Sequence, residues 1–71
     1  MPAGTVKWYN ITKGYGFILP DEGGDEVFVN FSALRPAKIP SLVENQRVMF
    51  DAEPNPKRDG KLKAVKVELV R

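Results

Sequence analysis
Lys13-Gly14-Tyr15-Gly16-Phe17-Ile18-Leu19-Pro20-Asp21-Glu22-Gly23-Gly24-Asp25-Glu26-Val27-Phe28-Val29-Asn30-Phe31 is the stretch that decides the fold. Gly16 to Leu19 and Glu26 to Asn30 are rich in aromatic and β-branched residues, and Pro20 to Asp25 between them is turn material, which predicts a β-hairpin. Successive side chains of a strand point to opposite faces. Ile18, Val27 and Val29 therefore share one face, while Tyr15, Phe17, Leu19, Phe28 and Asn30 share the other. Only one of these apolar faces can line a core. The β-branched face suits the interior, which leaves Tyr15, Phe17 and Phe28 side by side outside.

Outward from the hairpin, the chain of 71 residues is punctuated by prolines at 2, 20, 36, 40, 54 and 56. Thr5 to Asn10 reads as a strand. Strict alternation there would put Val6 and Trp8 together, although Val6 is expected inside and Trp8 outside. Arg47 to Glu53 alternates, with Val48, Phe50 and Ala52 on one face, and Pro54-Asn55-Pro56 stops it. Asp59-Gly60 turns the chain into a last strand, Lys61 to Val70, whose apolar parity slips between Ala64 and Val65 and so implies a bulge or bend there. No sustained 3.6-residue stripe occurs, and Ser32-Ala33-Leu34-Arg35 is at most one helical turn halted by Pro36. Five short strands with no helix to cover a sheet face should close on themselves. The expected fold class is all-β, a small five-stranded antiparallel barrel in one domain spanning 1–71.

Composition narrows the function. Six of the seven aromatic residues, Trp8, Tyr9, Tyr15, Phe17, Phe28 and Phe31, fall in the N-terminal half with Lys7 and Lys13 among them, and no acid precedes Asp21. Such rings point to a surface that stacks on flat, anionic ligands, of which single-stranded nucleic acid is the obvious one. The absence of Cys and His excludes disulfides, thiolate chemistry, zinc sites and imidazole catalysis, and it fits a reducing cytoplasm. An enzyme would have only carboxylates, Lys and Tyr to work with, so none is expected, nor any metal or cofactor. No apolar run approaches the ~20 residues that cross a bilayer, and the start lacks a signal-peptide pattern, so a cytoplasmic chain without membrane contact is expected. Net charge is only +2, which is too small for an unselective polyanion glue. Its distribution is uneven: Asp21, Glu22, Asp25 and Glu26 crowd one turn, whereas residues 54 to 71 carry six Lys/Arg against Asp59 and Glu68.

Lys13-Gly14-Tyr15-Gly16-Phe17-Ile18 and Val27-Phe28-Val29-Asn30-Phe31 resemble the paired ribonucleoprotein motifs of the cold-shock domain. Gly4-Thr5-Val6-Lys7-Trp8-Tyr9-Asn10 looks like the first strand of that family, and Ser32-Ala33-Leu34 and Asn45-Gln46-Arg47-Val48 continue in register. The resemblance spans residues 4 to about 53 and the last strand more loosely. It implies a barrel of oligonucleotide-binding (OB) type that binds single-stranded RNA and DNA with low sequence specificity and keeps RNA unstructured without ATP. It carries the family's nucleic-acid contacts to Lys7, Trp8, Lys13, Tyr15, Phe17, Phe28 and Phe31. At Asn30 the family usually has a base-stacking His, at Ile39 an aromatic commonly sits, and at Tyr9 and Tyr15 Phe is usual. Asn30 enters the candidate site as a hydrogen-bonding group and Ile39 as an apolar contact.

Some positions admit a plainer reading. Trp8 taken alone fits a core as well as a surface, Phe31 fits an anchor for the chain after the third strand, and Phe50 is core. Lys57, Arg58, Lys61, Lys63 and Lys66 fit an accessory phosphate contact and a solubilising surface equally. Gly23-Gly24-Asp25-Glu26 resembles the start of the diguanylate cyclase signature, but such a domain needs about twice this length and helices, so the hairpin-turn reading stands. Two alternatives to a single-strand binder remain: a small barrel whose aromatic patch receives a protein partner, and, less favoured, a nucleotide-processing enzyme. No small-molecule substrate is expected. A monomer is the default, with a strand-swapped dimer the alternative.

Overall fold
The computed structural model describes residues 1–70. Five strands, β1 (Ala3–Asn10), β2 (Tyr15–Pro20), β3 (Val27–Asn30), β4 (Arg47–Pro54) and β5 (Leu62–Leu69), form a closed barrel in the order β1-β2-β3-β5-β4, with β4 pairing back to β1. All neighbours run antiparallel except β3 and β5, which meet in parallel at Phe28 and Lys63. This qualifies the expected all-antiparallel barrel, and the reason is arithmetic. An odd number of strands cannot alternate direction all the way around a closed ring, so one neighbouring pair must be parallel.

The β-branched face of the hairpin lines the interior, as its parity predicts. Val6, Ile18, Val29, Val48 and Val67 have no exposed surface, and Val27 and Phe50 are nearly as deep. In β2 and β3 the register pairs Ile18 with Val27 and Phe17 with Phe28, so inward and outward residues lie in matched rows. The expected helical turn is α1 (Phe31–Leu34), followed by a single 3-10 turn over Arg35–Ala37. Its role exceeds that of a connector, because Ala33 and Leu34 are buried in the core. Ile39 and Leu42 join the same cluster. Ile39, read from the sequence as an apolar contact of the candidate site, is thus a core residue, and its backbone N–H donates to the Leu34 carbonyl at 3.1 Å.

Two bulges settle where parity breaks. In β1 the register runs Val6 to Ile18 and then Trp8 to Phe17, so Lys7 is the extra residue. That single insertion turns Val6 inward and Trp8 outward. The bulge presses on the facing strand, where a Cβ on Gly16 would lie 2.2 Å from the Trp8 carbonyl oxygen and 2.7 Å from Tyr9 Cα. Only glycine fits there. In β5, Asp51 pairs with Lys66 and Ala52 with Ala64, which leaves Val65 unpaired at the position where the sequence slips.

Candidate functional site
On the outer face of β1, β2 and β3, four rings form a closed circuit. Trp8 meets Tyr15 edge-on at 5.4 Å between centroids and Phe17 at 5.3 Å. Phe28 stacks on Tyr15 at 5.7 Å with an interplanar angle of 25°, and meets Phe17 edge-on at 5.7 Å. These distances lie in the range of favourable aromatic pairs, so the rings brace one another while their outer surfaces remain half-exposed. The mechanism of assembly is local: Phe17 and Phe28 are cross-strand partners, Tyr15 sits two residues along, and the Lys7 bulge swings Trp8 onto the same surface. Trp8, ambiguous in the sequence, is a surface ring. Tyr9 lies past the bulge on the inner parity and packs against the core, and this burial raises its hydroxyl pKa above the ordinary value.

Phe31 lies beyond the Tyr15 edge of the circuit, where Tyr15 pairs with Asn30. Its backbone N–H donates to the Gly14 carbonyl at 2.8 Å, and its ring rests against Gly14, where the absence of a side chain leaves room for the close approach. Phe31 is 52% exposed, so its backbone anchors the chain while its ring stays available. Asn30 is the N-cap of α1: its Oδ1 accepts from the Ser32 N–H at 3.0 Å and from the Ser32 hydroxyl. The amide oxygen is therefore committed to the fold, while the amide nitrogen donates no hydrogen bond among the described residues.

Charge flanks the rings unevenly. Lys13 is exposed on the β1–β2 turn, which is held by its backbone N–H to Asn10 Oδ1 at 2.9 Å. Lys7 projects from the bulge and reaches Glu26 Oε1 at 3.6 Å, so part of its charge is already offset. Residues assigned to no clear role in the sequence also arrive here. Lys63 stands opposite Phe28 in the parallel register, and Arg58 and Lys61 share a shallow groove with Phe17 and Phe28, in which Asp25 and Glu26 also lie. Lys61 is held in that position by Asp25 Oδ2 at 3.0 Å. The basic C-terminal cluster thus divides, since Lys66 pairs with Glu68 at 3.8 Å and lines a separate depression with Pro36. Arg35, which the sequence did not single out, places its guanidinium 5.9 Å from the centre of the Phe31 ring. Spacing was the available signal, because Phe31 and Arg35 are four residues apart across one helical turn.

A cavity of about 670 Å³ adjoins the groove beside Phe17 and Phe28, between the β2–β3 turn and the start of β5. Glu22, Asp25, Glu26 and Asp51 line it, so it repels phosphates. Among the described residues no group of His, Cys, Asp and Glu could hold a metal ion, and no helix is long and apolar enough to cross a membrane. What remains is an apolar surface of half-exposed rings, edged by lysines and arginines and, beside Phe17 and Phe28, by Asp25 and Glu26.

Comparison with known proteins agrees with this geometry. The family model described as the "Cold-shock" DNA-binding domain matches residues 2–70. Cold shock protein CspA of Rhizobium meliloti is 57% identical over 51 residues, covering 72% of this chain and 74% of its own length. Cold shock-like protein CspJ of Salmonella typhi is 52% identical over 54 residues, covering 76% and 77%. The Major cold shock protein of Micrococcus luteus is 49% identical over 57 residues, covering 80% and 85%.

Proposed function
The chain belongs to the cold-shock DNA-binding domain family, a family of nucleic-acid-binding domains, and from that premise we propose that it binds single-stranded RNA and single-stranded DNA as an ATP-independent RNA chaperone. One observation carries the reading: the circuit of Trp8, Tyr15, Phe17 and Phe28 faces outward with its π-surfaces half-exposed. Every base has a π-face, so stacking on such rings tolerates sequence. Duplex DNA keeps its base faces inside the stack, and only an unpaired strand can lay them on a platform. A chain that binds unpaired segments holds RNA open by mass action, with no need for nucleotide hydrolysis.

Each proposed contact has a role. Trp8, Tyr15, Phe17 and Phe28 stack on successive bases, and Phe31 extends the platform past Tyr15. Lys7 and Lys13 neutralise phosphates without reading bases, Lys63 and Arg58 do the same along the Phe28 edge, and Asn30 offers its amide N–H to a base. Residues 1–71 act as one domain, without catalysis or cofactor, as a cytoplasmic monomer. Titrating Trp8 fluorescence with oligothymidylate and with a blunt duplex tests the reading. Quenching by the single strand and none by the duplex is expected. Equal response to both, or response to neither, overturns it, and a response only to a proline-rich peptide transfers the patch to a protein partner.

A further inference from the structure
Arg35 has no carboxylate partner among the described residues; the four ion pairs there are Lys7–Glu26, Arg47–Asp21, Lys61–Asp25 and Lys66–Glu68. It is nevertheless well placed. Its backbone N–H caps α1 by donating to the Phe31 carbonyl, Pro36 follows it at the start of the 3-10 turn, and its guanidinium lies 5.9 Å from the Phe31 ring centre. An exposed arginine over an exposed phenylalanine fits a base-contacting role, because guanidinium groups stack on nucleobases as well as on aromatic rings.

We propose that Arg35 is a base-contacting residue that works with Phe31, the two forming a clamp in which a nucleobase leaving the Tyr15 edge is held between the Phe31 ring and the Arg35 guanidinium. The clamp rests on the reading of the aromatic platform as a single-strand site, and it adds a residue to that site. Three features point the same way. Phe31 presents 52% of its surface, so a base has access to it. Gly14 of the β1–β2 turn lies against the ring, close enough that a Cβ there would come within 3.1 Å of Phe31 Cδ1. Arg35 has no ion pair to break, so a base entering the clamp displaces only the guanidinium from its 5.9 Å contact with the Phe31 ring. Because the guanidinium is planar and delocalised, it suits a base face in a way that the compact lysine ammonium does not.

The test uses the whole chain and oligothymidylate, with Trp8 fluorescence as readout, for wild type, Arg35→Gln, Arg35→Lys, Phe31→Ala and the double variant Phe31→Ala/Arg35→Gln. Arg35 is exposed and unpaired, so these variants keep the fold, and urea midpoints check that they do. Arg35→Gln should weaken binding about two- to fivefold, the scale of an exposed cation–π contact, and Arg35→Lys should lose most of the same amount. The double variant should lose less than the product of the two single losses, since each residue works through the other. Arg35→Gln binding as tightly as wild type, or more tightly, overturns the clamp. Full affinity in Arg35→Lys makes the contact a phosphate charge and overturns it too, as do independent losses in the double variant. Wild type that fails to bind oligothymidylate at all overturns the functional reading itself, a different result from a binding wild type with an indifferent Arg35.

Discussion

Phe28 and Val29 are neighbours in β3 with opposite fates, one half-exposed on the platform and the other with no exposed surface. Phe17→Ala and Phe28→Ala should each weaken single-strand binding by about 1–3 kcal/mol, the worth of a base stack. Each also loses two ring contacts, which costs about 1–3 kcal/mol of stability. Val29→Ala should cost about 2–3 kcal/mol of stability through lost burial and a cavity, and leave the affinity of the folded fraction unchanged. Urea denaturation and oligonucleotide titration on the same three proteins separate the two effects, and a Phe17→Ala chain less stable than Val29→Ala would place that ring in the core. Glycines divide in a similar way. Gly23 has φ +92° with open space where a Cβ would stand, so Gly23→Ala should cost about 1–2 kcal/mol. Gly16→Ala should cost much more, because its Cβ meets the backbone of the β1 bulge, which cannot yield as a side chain can.

At the scale of elements, the short helix α1 depends on its cap. Asn30→Ala removes the acceptor for the Ser32 N–H and should cost about 1 kcal/mol, because α1 carries Ala33 and Leu34 into the core. Asn30→Ser, which keeps an acceptor, should restore most of it in a urea titration. A second link ties the β2–β3 turn to β4: Arg47 Nη1 and Nη2 donate to Asp21 Oδ1 and Oδ2 at 2.6 Å each, and Nη1 also reaches Thr5 Oγ1 at 2.9 Å. The hydrogen bonds from Arg47 hold the Asp21 pKa below the usual carboxylate value. A carboxyl whose folded pKa is depressed stabilises the fold above its unfolded pKa, and that contribution fades as pH falls through the folded one. Asp21→Asn should therefore lower the thermal midpoint at pH 7 and have progressively less effect in increasingly acidic buffer below about pH 4. A difference that stays constant down to the most acidic buffers would show that the charge of Asp21 plays no part.

For the whole molecule, the balance of stacking and charge is the measurable property. Net charge is +2, Lys7 is partly offset by Glu26, and Asp25 and Glu26 of the acidic cavity also line the groove beside Phe17 and Phe28. Few phosphates should be neutralised on binding. If about three are, log affinity should fall against log salt with a slope near −2 for a single strand. A slope steeper than about −5 would mean that the basic residues after Pro54 dominate, and the platform would then be secondary. Closure of the barrel supports this division of labour, because inward residues hold the fold and outward rings are free to meet a ligand.

The hairpin, its inner and outer faces, the core role of Phe50 and the bulge in β5 were legible in the sequence, because alternation with a period of two is local and each strand carries its own record of it. The same alternation picked out Tyr15, Phe17 and Phe28 as a surface set, and the absence of His and Cys excluded whole classes of chemistry. Tertiary structure decided the rest. The Lys7 bulge exists against Gly16 on another strand, the parallel β3–β5 pair follows from closing five strands, and Ile39 and Leu34 enter the core because they cover it from outside the sheet. The split of the basic cluster depends on partners distant in sequence, Asp25 for Lys61 and Phe28 for Lys63. Local pattern fixes which face a side chain takes, whereas its neighbours across the barrel are set only when the chain closes.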